Sequence, residues 1–244
     1  MIDDVYFISD IHLGMKSEQT DRDKLEKLFS FLTHINHENN VLYIVGDLFD
    51  YWFEYKYVVL KNHFKLFYKL YELIENNVKI HFLPGNHDYW TRSFLTEQVG
   101  IEVHEEDVQV ELHHRLCYIY HGDGIAKWDR GYRLLKRIIR HPLNIFLYKL
   151  IHPDLGATIA EFASRTSREY TSQKRNAASE REECLKFAET YHQQGFDCVI
   201  LGHTHFPFIY ENQGKFVVNL GDWINHFTYA KLSQGSLSLE TWNI

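Results

Sequence analysis

The sequence predicts an α/β fold, on three observations. Short apolar runs of four or five residues, rich in β-branched and aromatic side chains, alternate with amphipathic helical patterns through the first half of the chain. The polar residues that end these runs recur at near-constant intervals: Asp10 to Asp47 is 37 residues, Asp47 to Asn86 is 39 and Asn86 to His121 is 35. After residue 206 the pattern changes to closely spaced apolar runs separated by Gly-containing turns, which reads as an antiparallel series.

Taken in order, Val5–Ser9, Val41–Val45, Lys79–Leu83, Leu116–Tyr120 and Cys198–Leu201 are strands, apolar on both faces as buried parallel strands are. Between the first two, Leu25, Leu28, Phe29, Leu32 and Ile35 recur at three- and four-residue steps and predict a helix. The same periodicity, through Val59, Phe67, Leu70 and Ile74, predicts a helix within 57–75. Residues 92–99 read as helical and 101–112 as two short strands. From His121 to His203 the interval is 82 residues, about one strand-to-strand passage too many. The surplus predicts an inserted helical segment over 127–175 within a single domain spanning 1–244, with Pro142 and Pro153 as punctuation.

The chain has 244 residues, 26 Lys+Arg against 33 Asp+Glu and a formal charge of −7. With 45% hydrophobic and 24% charged residues, disorder, collagen and coiled coil are excluded. An acidic balance also argues against a duplex-DNA coater, so no nucleic-acid partner is expected. No run reaches the roughly 18–20 uncharged apolar residues of a spanning helix, and MIDDVYFISD is too acidic for a signal peptide, so a cytoplasmic protein is expected. Cys117, Cys184 and Cys198 lack CxxC spacing and read as reduced structural thiols. Charge is unevenly spread: residues 127–175 hold eleven basic and four acidic residues, +7, and the remainder −14. A cationic amphipathic insert on an acidic body fits a lid or a peripheral membrane contact, or else a hairpin whose apolar face packs on the body.

All five buried strands run into polar clusters: Asp10-Ile11-His12, Gly46-Asp47-Leu48-Phe49-Asp50, Gly85-Asn86-His87-Asp88, His121-Gly122-Asp123 and Gly202-His203-Thr204-His205. Ligands of open α/β sheets bind at the carboxyl ends of strands, so five clusters at five such ends predict one site. Carboxylate, amide and imidazole donors suit divalent ions such as Mn²⁺, Fe²⁺ or Zn²⁺, and the lack of thiolate argues against a cysteine-type zinc site. Asp10, His12, Asp47, Asn86, His121, His203 and His205 are too many donors for one ion. Two ions sharing a carboxylate would suit in-line phosphoryl displacement. By contrast, His34, His37, His63 and His192 lie in helical patterns and read as solvated, and His113-His114 as a turn. The Tyr51-Trp52-Phe53 run reads as core in preference to an acyl groove.

The order D-x-H, G-D-x-x-D, G-N-H-D, H-G-D, G-H-x-H resembles the calcineurin-like metallophosphoesterase superfamily. That resemblance implies a four-layer αββα sandwich. It also implies one metal on Asp10, His12, Asp47 and His205, a second on Asp47, Asn86, His121 and His203, and Asp47 as bridge. His87 takes the general-acid or phosphate-contact position, with Asp50 to orient it. More narrowly, SDIHLG, GDLFDYWF, HGDG with WDRGY, GHTH and NLGDW resemble the UDP-2,3-diacylglucosamine pyrophosphatases of lipid A biosynthesis. These carry a helical lid between H-G-D and G-H-T-H and cleave a lipid-linked UDP-sugar at the cytoplasmic face of the inner membrane. The likeness implies substrate contacts at Asn86, His87, Asp129, Ser167, Thr171, Lys174 and His203, manganese as the first metal to expect, peripheral membrane association and no obligate protein partner. His87 stands where many members have Arg, and Thr171 where they have Asn. A phosphodiesterase acting on a soluble phosphoester and a non-catalytic scaffold of the same fold are the alternatives.

Overall fold

The computed structural model describes residues 2–14, 18–125, 136–172 and 176–243. Six strands form a first sheet in the order β11-β10-β1-β2-β3-β4: β1 (Val5–Ile8), β2 (Val41–Val45), β3 (Lys79–Leu83), β4 (Glu102–Val103), β10 (Thr228–Ser233) and β11 (Ser236–Thr241). Strands β1 to β4 pair in parallel, and β10 joins β1 antiparallel. A second sheet has the order β5-β6-β7-β9-β8, from β5 (Val108–Leu112), β6 (Arg115–Tyr120), β7 (Cys198–Leu201), β8 (Phe208–Asn212) and β9 (Lys215–Asn219). The tail is therefore not one antiparallel series. It is two hairpins, β8-β9 and β10-β11, delivered to different sheets, with β9 parallel to β7.

Strand alternation builds the layers. Tyr6, Ile8, Leu42 and Ile44 face outward onto α1 (Glu18–His34) and α2 (Phe64–Glu75), meeting Leu28, Phe31, Leu32, Leu66 and Leu70. Their neighbours Val5, Phe7, Val41, Tyr43 and Val45 face inward and pack on Cys117, Ile119, Cys198 and Ile200 of the second sheet. On its far face, Tyr118, Val199 and Val217 cover Cys184 and Ala188 of α5 (Ala177–His192), whose start is capped by the Asn176 side chain. Helices, sheet, sheet and helix make four layers, and burial on both sides explains why the strands read as continuous apolar runs.

Two expected helices are shorter than their patterns. The second begins only at Phe64 after a 3₁₀ turn, and 92–99 becomes a π-helical turn over Leu95–Val99. His63 is buried, not solvated: its ring packs on Phe49 and Trp52, and burial pushes its pKa down to about 4. Helix α5 supplies the crossover from β6 to β7. The surplus residues before it contain α3 (Pro142–Tyr148), with Pro142 at its start, and α4 (Pro153–Ser172).

Candidate metal centre

Strands β1, β2 and β3 of one sheet and β6 and β7 of the other end at the same rim of the sandwich. Backbone hydrogen bonds stitch their outgoing loops together: Ile11 and His12 both donate to the Asp47 carbonyl at 2.9 Å, and Gly202 donates to that of His121 at 2.9 Å. Asp10, His12, Asp47, His203 and His205 all sit in left-handed backbone, with φ between 48° and 68°. For residues with a Cβ each such conformation costs about 1–2 kcal/mol, and clusters of them mark functional sites. A Cβ on Gly85 would collide with the Asp47 carboxylate and backbone, which is why the loop that carries Asn86 and His87 starts with glycine.

The resulting cluster is closed and acidic. His12 Nε2 lies 3.7 Å from Asp10 Oδ1 and 3.5 Å from Asp47 Oδ2. His121 Nε2 lies 3.4 Å from the same Asp47 oxygen and 3.4 Å from Asn86 Oδ1, and His205 Nε2 is 3.3 Å from Asp10 Oδ1. His203 and His121 meet edge to face with ring centroids 5.2 Å apart. Three-residue groups within ligand reach are Asp10-His12-His205, His12-Asp47-His87 and Asp47-His121-His203. All seven expected donors thus gather at one place, with Asp47 common to two groups.

Two observations say that this cluster fits cations. Asp10 Oδ1 and His12 Nε2 are buried, face each other and have no hydrogen-bond partner, an arrangement that costs free energy unless a cation lies between them. Three of the imidazoles are also held from behind. His121 Nδ1 donates to the Val45 carbonyl at 2.9 Å, His12 Nδ1 meets Asp50 Oδ1 at 3.2 Å, and His205 Nδ1 faces Asp222 Oδ2 at 3.7 Å. An anchored Nδ1 leaves the Nε2 lone pair aimed at the shared carboxylates, the habit of metal-ligating histidines. The field is strong: although burial opposes protonation, Asp10 and Asp50 push His12 up to about 9, and Asp47 pushes His121 up to about 10. Their positive charge in turn holds the Asp47 carboxyl well below the usual carboxylate range, against its own burial.

His87 points into the same space. Its Nδ1 donates to the backbone carbonyl of Asp50 at 2.8 Å, with the Asp50 carboxylate farther away at 3.7 Å. Asp50 therefore orients His87 through its main chain and His12 through its side chain. Burial, outweighing Asp47, keeps the His87 pKa below the ordinary histidine value, so Nε2 is an acceptor at neutral pH.

Sequence reasoning missed three residues. Asp88, fully buried, accepts from the backbone N–H groups of Leu48 and Gly85 at 2.7 Å and of Asp47 and Phe49 at 3.3 Å, locking two site loops together. Asp222 accepts from the Ile224 and Asn225 amides and from His226 Nδ1 while facing His205. Asp123 is paired with Lys136 at 2.5 Å and Arg140 at 3.5 Å, and His121 and Lys136 overcome its burial to hold it down at about 2. All three lay inside quoted motifs, Asp222 in NLGDW; Asp123 and Asp222 follow glycine directly and Asp88 closes G-N-H-D, and the signal in each case was a motif carboxylate with no role as a ligand.

The insert overhangs this rim. Tyr148 packs on Phe53 and Trp90, with centroids 4.8 and 5.1 Å away, and Ser164 Oγ donates to Asp50 Oδ2 at 3.2 Å. Trp52 and Phe53 are buried. Yet Leu143, Phe146, Leu147, Leu155 and Ile159 are exposed, as are Leu150 at 70% and Phe162 at 74%. The apolar face of the hairpin is not consumed by packing on the body. A cleft of about 350 Å³ between insert and body is lined by His121, Asp123, Tyr120, Lys136 and Arg140. Asp129 and Lys174 lie outside the described residues, as do the side chains of Ser167 and Thr171. No helix among the described residues is long and apolar enough to cross a membrane.

Residues 4–207 match the family described as calcineurin-like phosphoesterase. The chain is 33% identical to a UDP-2,3-diacylglucosamine hydrolase from Porphyromonas gingivalis, covering 97% of each chain. It is 25% identical to one from Psychromonas ingrahamii, covering 96% of this chain and 95% of the other. Among solved structures an archaeal phosphodiesterase aligns with a TM-score of 0.47 at 15% identity, over 97% of this chain and 98% of that one. Since the family match takes in all five strand-end clusters, from Asp10 to His205, the chain belongs to the calcineurin-like phosphoesterase family.

Proposed function

We propose that the protein hydrolyses UDP-2,3-diacylglucosamine. Water attacks one phosphorus of the pyrophosphate, the bridging P–O bond breaks, and 2,3-diacylglucosamine 1-phosphate and UMP leave. The observation that carries this reading is the Porphyromonas gingivalis relative: at 97% coverage of both chains its likeness extends through the insert as well as the catalytic loops. The exposed apolar side chains of α3 and α4 support it, because a soluble phosphoester gives them nothing to cover, whereas acyl chains do.

In this reading Asp10, His12, Asp47 and His205 hold one divalent ion, Asp47, Asn86, His121 and His203 a second, and Asp47 bridges them. Manganese is the first candidate, with iron or zinc behind it. Bound, the ions would supply Lewis-acid polarisation of the phosphoryl oxygens and a nucleophile at neutral pH. The protein supplies position. Asp88, Asp222 and the Val45 carbonyl fix the ligands, and Asp50 sets His87 with Nε2 toward the substrate space. His87 is neutral at rest and gains a proton when an anionic phosphate lies beside it, since a nearby negative charge favours the imidazolium; it then donates to the phosphoryl or leaving oxygen. Asn86, His87 and His203 line the phosphate position, and Asp129, Ser167, Thr171 and Lys174 contact substrate from the insert. Residues 127–175 are a lid inserted into a single domain of 1–244, and its cations and apolar face seat the protein peripherally on the cytoplasmic side of the inner membrane.

Purified protein with Mn²⁺ is expected to release UMP from UDP-2,3-diacylglucosamine, and Asp47→Ala or His121→Ala to abolish release. Absence of UMP alongside good turnover of a cyclic nucleotide or aryl phosphodiester would overturn the substrate assignment. Absence of hydrolysis of every phosphoester with Mn²⁺ present would leave the scaffold reading in its place.

A further inference from the structure

Away from this rim, three titratable side chains meet at the open edge of the first sheet. Strands β3 and β4 pair in parallel with His81 opposite Glu102. His104 follows Glu102 by two residues, and its N–H extends the ladder to the Phe82 carbonyl at 2.9 Å. With a side-chain period of two, this register puts His81, Glu102 and His104 on one face. His81 Nδ1 lies 3.1 Å from His104 Nε2 and 3.3 Å from Glu102 Oε2, and His104 Nε2 lies 3.8 Å from Glu102 Oε1. Tyr43 stacks flat on the His81 ring, centroids 4.4 Å apart and planes 11° apart, which fixes its orientation. His81 and Glu102 border an open cleft of about 690 Å³, so a hydrated ion can reach them.

We propose that His81, Glu102 and His104 form a second, independent site for one transition-metal ion of the zinc class, clipping the short edge strand β4 to β3. Donor atoms bonded at about 2.0–2.1 Å to a tetrahedral zinc are roughly 3.3 Å apart; the two imidazole nitrogens are 3.1 Å apart, Glu102 turns one oxygen to each of them at 3.3 and 3.8 Å, and one donor atom from each of the three residues lies within 4.8 Å of the others, so small side-chain adjustments close the site without movement of the backbone. Two imidazoles and one carboxylate form a borderline donor set suited to zinc and not to magnesium or calcium, and they leave a fourth position for water. The site shares no residue with the cluster around Asp47, and it needs the parallel register: a slip of one residue would turn Glu102 and His104 to the opposite face.

Zinc binding at equilibrium separates this site from the central one. The intact protein is titrated with Zn²⁺ alone beside Glu102→Gln and His104→Gln, and bound zinc per chain is counted. Glu102 is the most exposed of the three, its side chain 65% accessible, so Glu102→Gln keeps the fold. Each variant is expected to bind one equivalent fewer than the wild type, however many the central cluster takes, and to retain wild-type phosphoester hydrolysis with Mn²⁺. Asp47→Asn is expected to show the reverse, losing central zinc and keeping the equivalent that His104→Gln removes. Zinc should also raise the melting temperature of Asp47→Asn but not of the double variant Asp47→Asn, Glu102→Gln. Equal stoichiometry for wild type and Glu102→Gln, or loss of the disputed equivalent in Asp47→Asn, overturns the proposal.

Discussion

Asp88 holds the site together without being a ligand, and replacing it by asparagine isolates that role. The carboxylate accepts two backbone N–H groups on each oxygen, one at 2.7 Å and one at 3.3 Å. Whichever oxygen becomes NH₂, one short and one long bond are lost, and an amide donor is turned toward two buried donors. Burial and the neighbouring Asp47 push the Asp88 pKa up to about 7 against these bonds, so the comparison is made at pH 8, where the carboxylate is charged; hydrogen bonds to a charged group are worth about 1.5–3 kcal/mol each, and the two together cost roughly 3–6 kcal/mol. In a chain of this length 1 kcal/mol moves the melting temperature by about 2–4 °C, which predicts a fall of around 10 °C. Because the lost donors belong to the loops bearing Asp47 and Gly85, metal affinity should fall as well, by about the 10–100-fold that outer partners of a metal site command. Thermal melts of the metal-free protein and a Mn²⁺ titration read both effects. A melting temperature within about 2 °C of the wild type together with unchanged affinity would refute the reasoning, since two buried N–H groups cannot lose their acceptor and face an amide donor at no cost.

Further outcomes follow from the same geometry. Protons must leave His12 and His121, whose carboxylate neighbours push them up to about 9 and about 10, before an ion can bind. Metal affinity should therefore rise with pH from 6 to 8, by up to about two decades per unit for two protons, and a pH-independent titration would contradict this. His63 behaves oppositely: burial holds its folded pKa at about 4, below the unfolded value near 6.5, so the native state rejects the proton. Its contribution is complete above pH 6.5 and is lost as pH falls to 4, up to about 3 kcal/mol; urea unfolding across that range should lose this acid slope in His63→Leu. Tyr148→Ala removes contacts to Phe53 and Trp90 worth about 0.5–1.5 kcal/mol each. Trypsin should then cut within 127–175 faster than in the wild type, and an unchanged rate would mean that these rings do not dock the insert.

The motif order, the five buried strands and the concentration of positive charge in 127–175 were legible in the chain because each is a local property. A strand apolar on both faces is read from its own residues, and a ligand next to glycine at its end needs no partner to be recognised. The exposed face of α3 was only half legible: periodicity marks Leu143, Phe146 and Leu150 as one side of a helix but does not say what covers it.

What the tertiary structure decided is everything set by pairing across the sequence. The tail hairpins go to different sheets because β10 finds β1 and β9 finds β7, choices of register and edge that no local pattern contains. His63 is buried because α2 starts late and Phe49 and Trp52 close over it. Asp88 and Asp222 matter through backbone donors whose direction depends on loop geometry, and His81 meets His104 only across a sheet edge. The amino-acid sequence by itself determined which chemical groups the site contains and the order in which strands present them. Only the fold decided that five of the expected donors adopt left-handed backbone and turn inward, because the energy that holds those conformations comes from hydrogen bonds between loops far apart in the chain.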